Sequence, residues 1–135
     1  DDKPGGLATS FLPGAGSALH ERLYAGHIDS APKVSVPLSF MDAALDSSGV
    51  QAPIDFAVLD VEGAELDLLD GFDLDRWRVR ALVIEDLSDG ADPRLRDEMR
   101  RRGYARCGRV ARNDLFIRDD EPALIDRARR LLASV

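Results

Sequence analysis

Two short apolar runs of this 135-residue sequence end in carboxylates. Residues 54–59 run into Asp60, with Glu62 two positions on, and residues 79–84 run into Glu85 and Asp86. Acids at strand ends can orient a hydroxyl, take a proton or hold a divalent cation. The structural alternative is that strand ends are exposed and that negative charge near a helix start is favoured anyway. Other candidates carry less. His20 and His27 lie in a Gly-rich segment, no Cys or carboxylate cluster completes a metal-ligand spacing around them, and they read as loop histidines. Cys107, the single cysteine, falls in a predicted strand and reads as a small buried hydrophobe. Trp77 reads as a packing anchor, and Tyr104 as a half-buried strand residue able to line a pocket. Pro13-Gly-Ala-Gly16 reads as a plain loop, because a lone Gly-x-Gly without a preceding carboxylate is a weak signal for phosphate binding.

The elements that must position these residues follow from apolar periodicity. Before residue 33 the glycines break every long pattern, and only residues 17–24 look helical. Residues 34–36 form a short alternating strand. Residues 38–45 predict a helix with Leu38, Met41 and Leu45 on one face. The run 54–59 is nearly continuous, which predicts a strand covered on both faces, as in a parallel sheet. A helix over 64–70 follows, closed by Gly71, and 79–84 predicts a second such strand. Asp92 and Pro93 supply an N-cap and a first-turn proline for another helix. On it Leu95 and Met99 face inward, Asp97/Arg101 and Glu98/Arg102 stand four apart, and Gly103 ends it. Residues 104–110 and 114–117 predict an antiparallel hairpin. Pro122 opens a last helix with Leu124, Ile125, Ala128, Leu131 and Leu132 as its apolar stripe. Alternating strands and helices imply right-handed crossovers and a parallel sheet, with ligands beyond the carboxyl ends of the strands. That rim holds Asp60, Glu62, Glu85 and Asp86.

Composition narrows the function. Eighteen basic and 25 acidic residues give a net charge of −7, which argues against a nucleic-acid backbone as partner. The charge is uneven: the Arg-rich stretch 75–112 follows an acidic first half and reads as a solvated helix face with ion pairs rather than a phosphate-reading patch. Apolar residues make up 44% and charged residues 32%, the balance of a globular domain. No window approaches the roughly 18 apolar residues of a membrane span, and the first residues lack the apolar core of a signal peptide. One cysteine permits no internal disulfide. The expectation is a cytoplasmic protein that binds neither membrane nor nucleic acid.

The run Ile54-Asp-Phe-Ala-Val-Leu-Asp-Val-Glu-Gly-Ala-Glu65 resembles the central signature of the FkbM-type methyltransferases, S-adenosylmethionine-dependent enzymes that mostly methylate hydroxyls of sugars and natural products. Val34 to Leu45, with Met41-Asp42 and Leu45, resembles the strand and helix that precede that signature. Val83-Ile84-Glu85 resembles the next strand, and Gly103-Tyr104 and Asn113-Asp-Leu-Phe-Ile117 resemble the closing elements. The Asp60 to Glu65 element is fairly specific; the others are weak singly but occur in the right order. Val58 stands where many members carry Lys, so the role of that Lys has no counterpart here.

The resemblance implies an α/β fold: a Rossmann-like methyltransferase sheet, mostly parallel with a terminal antiparallel hairpin. It also implies a cofactor-binding half, with a glycine-rich loop and an acid after the second strand, and neither is found. The chain is therefore expected to comprise an irregular segment, 1–33, and the C-terminal portion of a methyltransferase domain, 34–135. As an isolated fragment it should be inactive and bind S-adenosylmethionine poorly. Asp60 and Glu62 are the implied catalytic residues, and Glu85 and Asn113 the implied substrate-binding ones. The acceptor would be a small molecule bearing a sugar or polyketide-type hydroxyl. No cofactor-binding or metal-binding residue is assigned. Two rivals stand beside this reading: a magnesium-dependent phosphoryl-transfer enzyme using the four strand-end carboxylates, and a non-catalytic interaction module. Without the neighbouring strand of a cofactor half, the 54–59 strand would be an open edge, which predicts that it is covered, either by residues 1–33 folding back or, preferably, by a second copy in a homodimer.

Overall fold

A computed structural model describes residues 37–134. The expected helix over 17–24, the strand over 34–36, the Pro13–Gly16 loop, His20 and His27 lie outside the described residues. Helix α1 is Met41–Ser47, strand β1 Phe56–Leu59, α2 Glu65–Asp70, β2 Ala81–Glu85, α3 Arg94–Arg101, β3 Tyr104–Val110, β4 Asn113–Arg118 and α4 Pro122–Leu132. Among the described residues no helix is long and apolar enough to cross a membrane.

The architecture is α/β, with a four-stranded mixed sheet in the order β1-β2-β4-β3. Among the described residues only β1 and β2 pair in parallel; β4 is antiparallel to both of its neighbours. The expectation of a mostly parallel sheet is corrected accordingly. Strands β1, β2 and β3 do run the same way, as helical crossovers require. The reversed β4 enters between β2 and β3 instead of adding to an edge. Its composition explains the position. Phe116 and Ile117 are both buried and pack into different apolar clusters, so β4 is apolar on both faces. β3 carries Arg106 and Arg109 and tolerates the edge. It bulges between Arg106 and Gly108, at Cys107.

One face of the sheet carries the larger core. Leu59, Leu82, Ile84 and Phe116 pack there with Leu69 of α2, Leu95 and Met99 of α3, and Trp77. On the other face Ala81, Cys107 and Ile117 pack beneath Ile125 and Ala128 of α4. That helix packs against β3 and β4. Among the described residues β1 is not covered on both faces as its apolar run predicts: Leu59 is buried, while Phe56 and Val58 are 55% and 59% exposed.

The helix termini follow local chemistry. The Asp92 carboxylate accepts the Arg94 amide at 2.9 Å, and Pro93 is already helical at φ −77°, ψ −12°. Gly103 leaves α3 at φ +78°, where a side chain would be strained. Glu98 pairs with Arg102 as expected and also with Arg101, and Asp97 pairs with Arg100 instead of Arg101. Two apolar assignments fail. Leu38 precedes α1 and is exposed, leaving Met41 and Leu45 to pack on the core. Leu131 is exposed, because α4 seats itself through Ile125, Ala128 and Leu132; Leu132 lies where a Cβ on Gly108 would meet it at 2.6 Å.

Candidate functional site

The carboxyl ends of β1 and β2 lie side by side. Leu59 pairs with Ile84, so the next step of the parallel register sets Asp60 level with Glu85. Glu85 pairs across the sheet with Asn113 at the start of β4. The structure therefore brings three of the four sequence-assigned residues into one row across three strands, spaced by about 4.8 Å per strand. Paired residues share a face, and alternate residues of a strand share a face. Asp60, Glu85 and Asn113 thus fall on the face of Phe56, Val58, Val83 and Leu115, away from the larger core.

Glu62 sits in the loop between β1 and α2, with its backbone at φ +56°, followed by Gly63 at φ +97°. Two consecutive left-handed residues reverse the chain within a few positions, and a non-glycine residue there costs conformational energy. The loop is held by Glu65, the first residue of α2. Its Oε1 accepts the amides of Val61 and Gly63, both at 3.1 Å, and the residue is buried. Glu65 is the functional-region residue that sequence reasoning left without a role. A carboxylate in the first turn of a helix, after a Gly-containing loop, is the signal that could have found it, since such acids reach back to free amides.

Glu85 is half-buried, and its Oε2 is enclosed without a hydrogen-bond partner. Burial, followed by the charges of Asp60, Glu62 and Glu65, pushes its carboxyl up to about 7. Asp86, one residue on, belongs to the opposite face and is spent on structure. It accepts the Ser88 amide at 3.0 Å, the Gly90 amide at 2.9 Å, the Ser88 hydroxyl and the Arg109 guanidinium. Arg109 also donates to Asp114 from Nε at 2.8 Å and Nη2 at 3.0 Å, and Arg106 reaches Asp114 at 2.8 Å. Burial opposes ionisation of Asp86 and Asp114, but the hydrogen bonds outweigh it and hold both below the usual aspartate range. Asp86 is therefore removed from the expected rim of four acids. The magnesium reading loses a ligand with it, and among the described residues no three acids, histidines or cysteines stand together as a metal site.

The Arg-rich stretch is likewise more than a solvated helix face. Arg109 bridges two buried acids on the sheet, and Arg80 ties Asp55 to Glu121 at 2.9 and 2.7 Å. The weaker candidates are structural. Trp77 is buried, with its indole N–H on Asp42 at 2.9 Å. Tyr104 is fully buried rather than half-buried and donates to the Val79 carbonyl at 2.6 Å. Cys107 is buried, and burial raises its thiol. A shallow hollow lined by Phe40, Asp42, Asp70 and Phe72 contains none of the row residues.

A family model for the FkbM methyltransferase domain matches residues 6–105, most of the chain. The chain belongs to this methyltransferase family. The match contains Asp60, Glu62, Glu65 and Glu85 and stops short of Asn113. No curated protein and no solved structure matches the chain. Enzymes of this family generally use S-adenosylmethionine. The two loops at this end of the sheet offer it no free amide cradle at Val61, Gly63, Ser88 and Gly90, since Glu65 takes the first two amides and Asp86 the other two. What this end of the sheet presents is the row Asp60, Glu85 and Asn113 beside the loop held by Glu65.

Proposed function

We propose that this chain forms the acceptor-holding part of a Rossmann-like, S-adenosylmethionine-dependent methyltransferase acting on a hydroxyl of a sugar or natural product. The observation that carries this reading is the row Asp60, Glu85 and Asn113 at one end of the sheet, beside a loop fixed by Glu65. Asp60 orients the acceptor by accepting a hydrogen bond from a hydroxyl adjacent to the reacting one. Glu62, set by the left-handed loop, accepts from a further hydroxyl of the acceptor. Glu85 and Asn113 hold neighbouring polar groups of the acceptor. The contribution of these residues is alignment, which supplies much of the acceleration of a displacement reaction.

The test is incubation of the native protein with methyl-labelled S-adenosylmethionine and a panel of polyhydroxylated small molecules. Label in a product that survives mild base is expected, since an ether withstands conditions that cleave a methyl ester. Asp60→Ala should abolish transfer while the melting temperature stays near that of the parent. Label released by mild base would count against a hydroxyl acceptor, and a large drop in melting temperature would make Asp60 structural.

A further inference from the structure

Acids from two segments act on the middle of the row. Asp60 follows β1, Glu62 and Glu65 come from the loop and α2, and all three act on Glu85. Asn113 on β4 is neutral, and the Arg109 guanidinium is committed on the opposite face to Asp86 and Asp114. We propose that Glu85 is the proton acceptor of this site, the group that takes the hydroxyl proton of a bound acceptor, with Asp60 as its charged neighbour. The proposal rests on the methyltransferase reading above.

Position is the first argument. Glu85 is the middle member of the row, so a hydroxyl lying against Asp60 or Asn113 is within one strand spacing of it. The second argument is the enclosed Oε2. A buried carboxylate oxygen with no donor is costly when charged, and that cost disappears when the group gains a proton. Three neighbouring carboxylates add to the same preference. Together they bring Glu85 up to about 7, the range in which a base is both ionised enough to accept a proton and basic enough to keep it. The step is balanced. The acceptor O–H bond breaks, its electron pair stays on the oxygen to form the new bond to carbon, and the proton forms an O–H bond on Glu85.

Carboxyl-detected NMR of the full 135-residue chain tests the proposal without donor or acceptor. Glu85 is expected to titrate with a midpoint near 7, and Asp60→Asn should lower that midpoint by about half a pH unit or more. A midpoint close to 4.5, the ordinary value, would overturn the proposal, as would a raised midpoint indifferent to Asp60→Asn. In the native protein, labelled-methyl transfer should show a pH limb near 7 that vanishes in Glu85→Gln, a variant that removes only the charge. Transfer that keeps this limb in Glu85→Gln would overturn the proton role. Absence of transfer in the parent, with the raised midpoint intact, would instead overturn the methyltransferase reading on which the proposal rests.

Discussion

Consecutive residues of a strand point to opposite faces of a sheet, and at the end of β2 that alternation separates Glu85 from Asp86. Glu85 feels three further acids, Asp60, Glu62 and Glu65, and carries an enclosed oxygen without a donor. On Asp86's face an arginine bridges two buried aspartates, and the loop after β2 closes over them through the Ser88 and Gly90 amides. The same residue chemistry thus serves two ends. Compensated charge fixes the loop and the hairpin, while Glu85 keeps an enclosed oxygen that no donor meets. Strained or under-compensated groups tend to gather at functional sites, which is why the first face carries the functional assignment.

The largest expected effect comes from breaking the compensated face. Arg109→Met leaves Asp86 and Asp114 buried without their main cation and should cost about 3–5 kcal/mol, read by denaturant unfolding. The pH dependence of this face has a definite sign. Both aspartates are held below their ordinary value, so their contribution is complete above about pH 4 and is lost as the pH falls through the lowered values. An acid limb below about pH 4 is therefore expected in the parent. Its persistence unchanged in Arg109→Met would separate the network from acid stability.

Glu65→Ala comes next. It orphans the Val61 and Gly63 amides and should cost about 1–2 kcal/mol, with faster hydrogen exchange confined to residues 60–64. Uniform exchange across β2 would show instead that Glu65 supports the sheet as a whole.

The uncompensated face should respond in the opposite direction. The folded state binds the Glu85 proton more tightly than the unfolded chain does. Its contribution is full below about pH 4.5 and lost as the pH rises through about 7. Glu85→Gln should therefore match the parent at low pH and exceed it by about 1–2 kcal/mol above pH 7, after discounting for partial exposure. Loss of stability above pH 7 would mean that Glu85 has a cation partner. On this same face Phe56 and Val58 stand exposed beside Asp60. A second copy covering the β1 edge would show in light scattering as about twice the 14.8 kDa chain mass, and the single-chain mass would contradict it.

Much of this was legible where the determinants are local. The Asp92-Pro93 start and Gly103 end of α3, the hairpin of β3 and β4 (expected with a three-residue connection, 111–113, and found with Asn113 already in β4), and the acids closing β1 and β2 are all written within a few residues. The order of strands was not, because the place of β4 depends on which neighbour buries Phe116 and Ile117, and those partners are distant in sequence. The Arg109 clamp was hidden for a related reason. In a stretch crowded with arginines, nothing local marks the one that meets two buried aspartates. Asp86 was misplaced because a strand-end acid looks the same whether it faces a ligand or a loop. Leu38 and Leu131 fit a helical period but lie off the seats that α1 and α4 take on the sheet.

The central claim is that the two faces divide labour at residues 85 and 86. The most direct test is labelled-methyl transfer and thermal unfolding measured together on Glu85→Gln and Asp86→Asn in the native protein. The account predicts that Glu85→Gln loses transfer at neutral pH with its melting temperature kept or raised, while Asp86→Asn melts earlier. A Glu85→Gln variant that unfolds early, or one that transfers methyl groups at the parental rate, would contradict it.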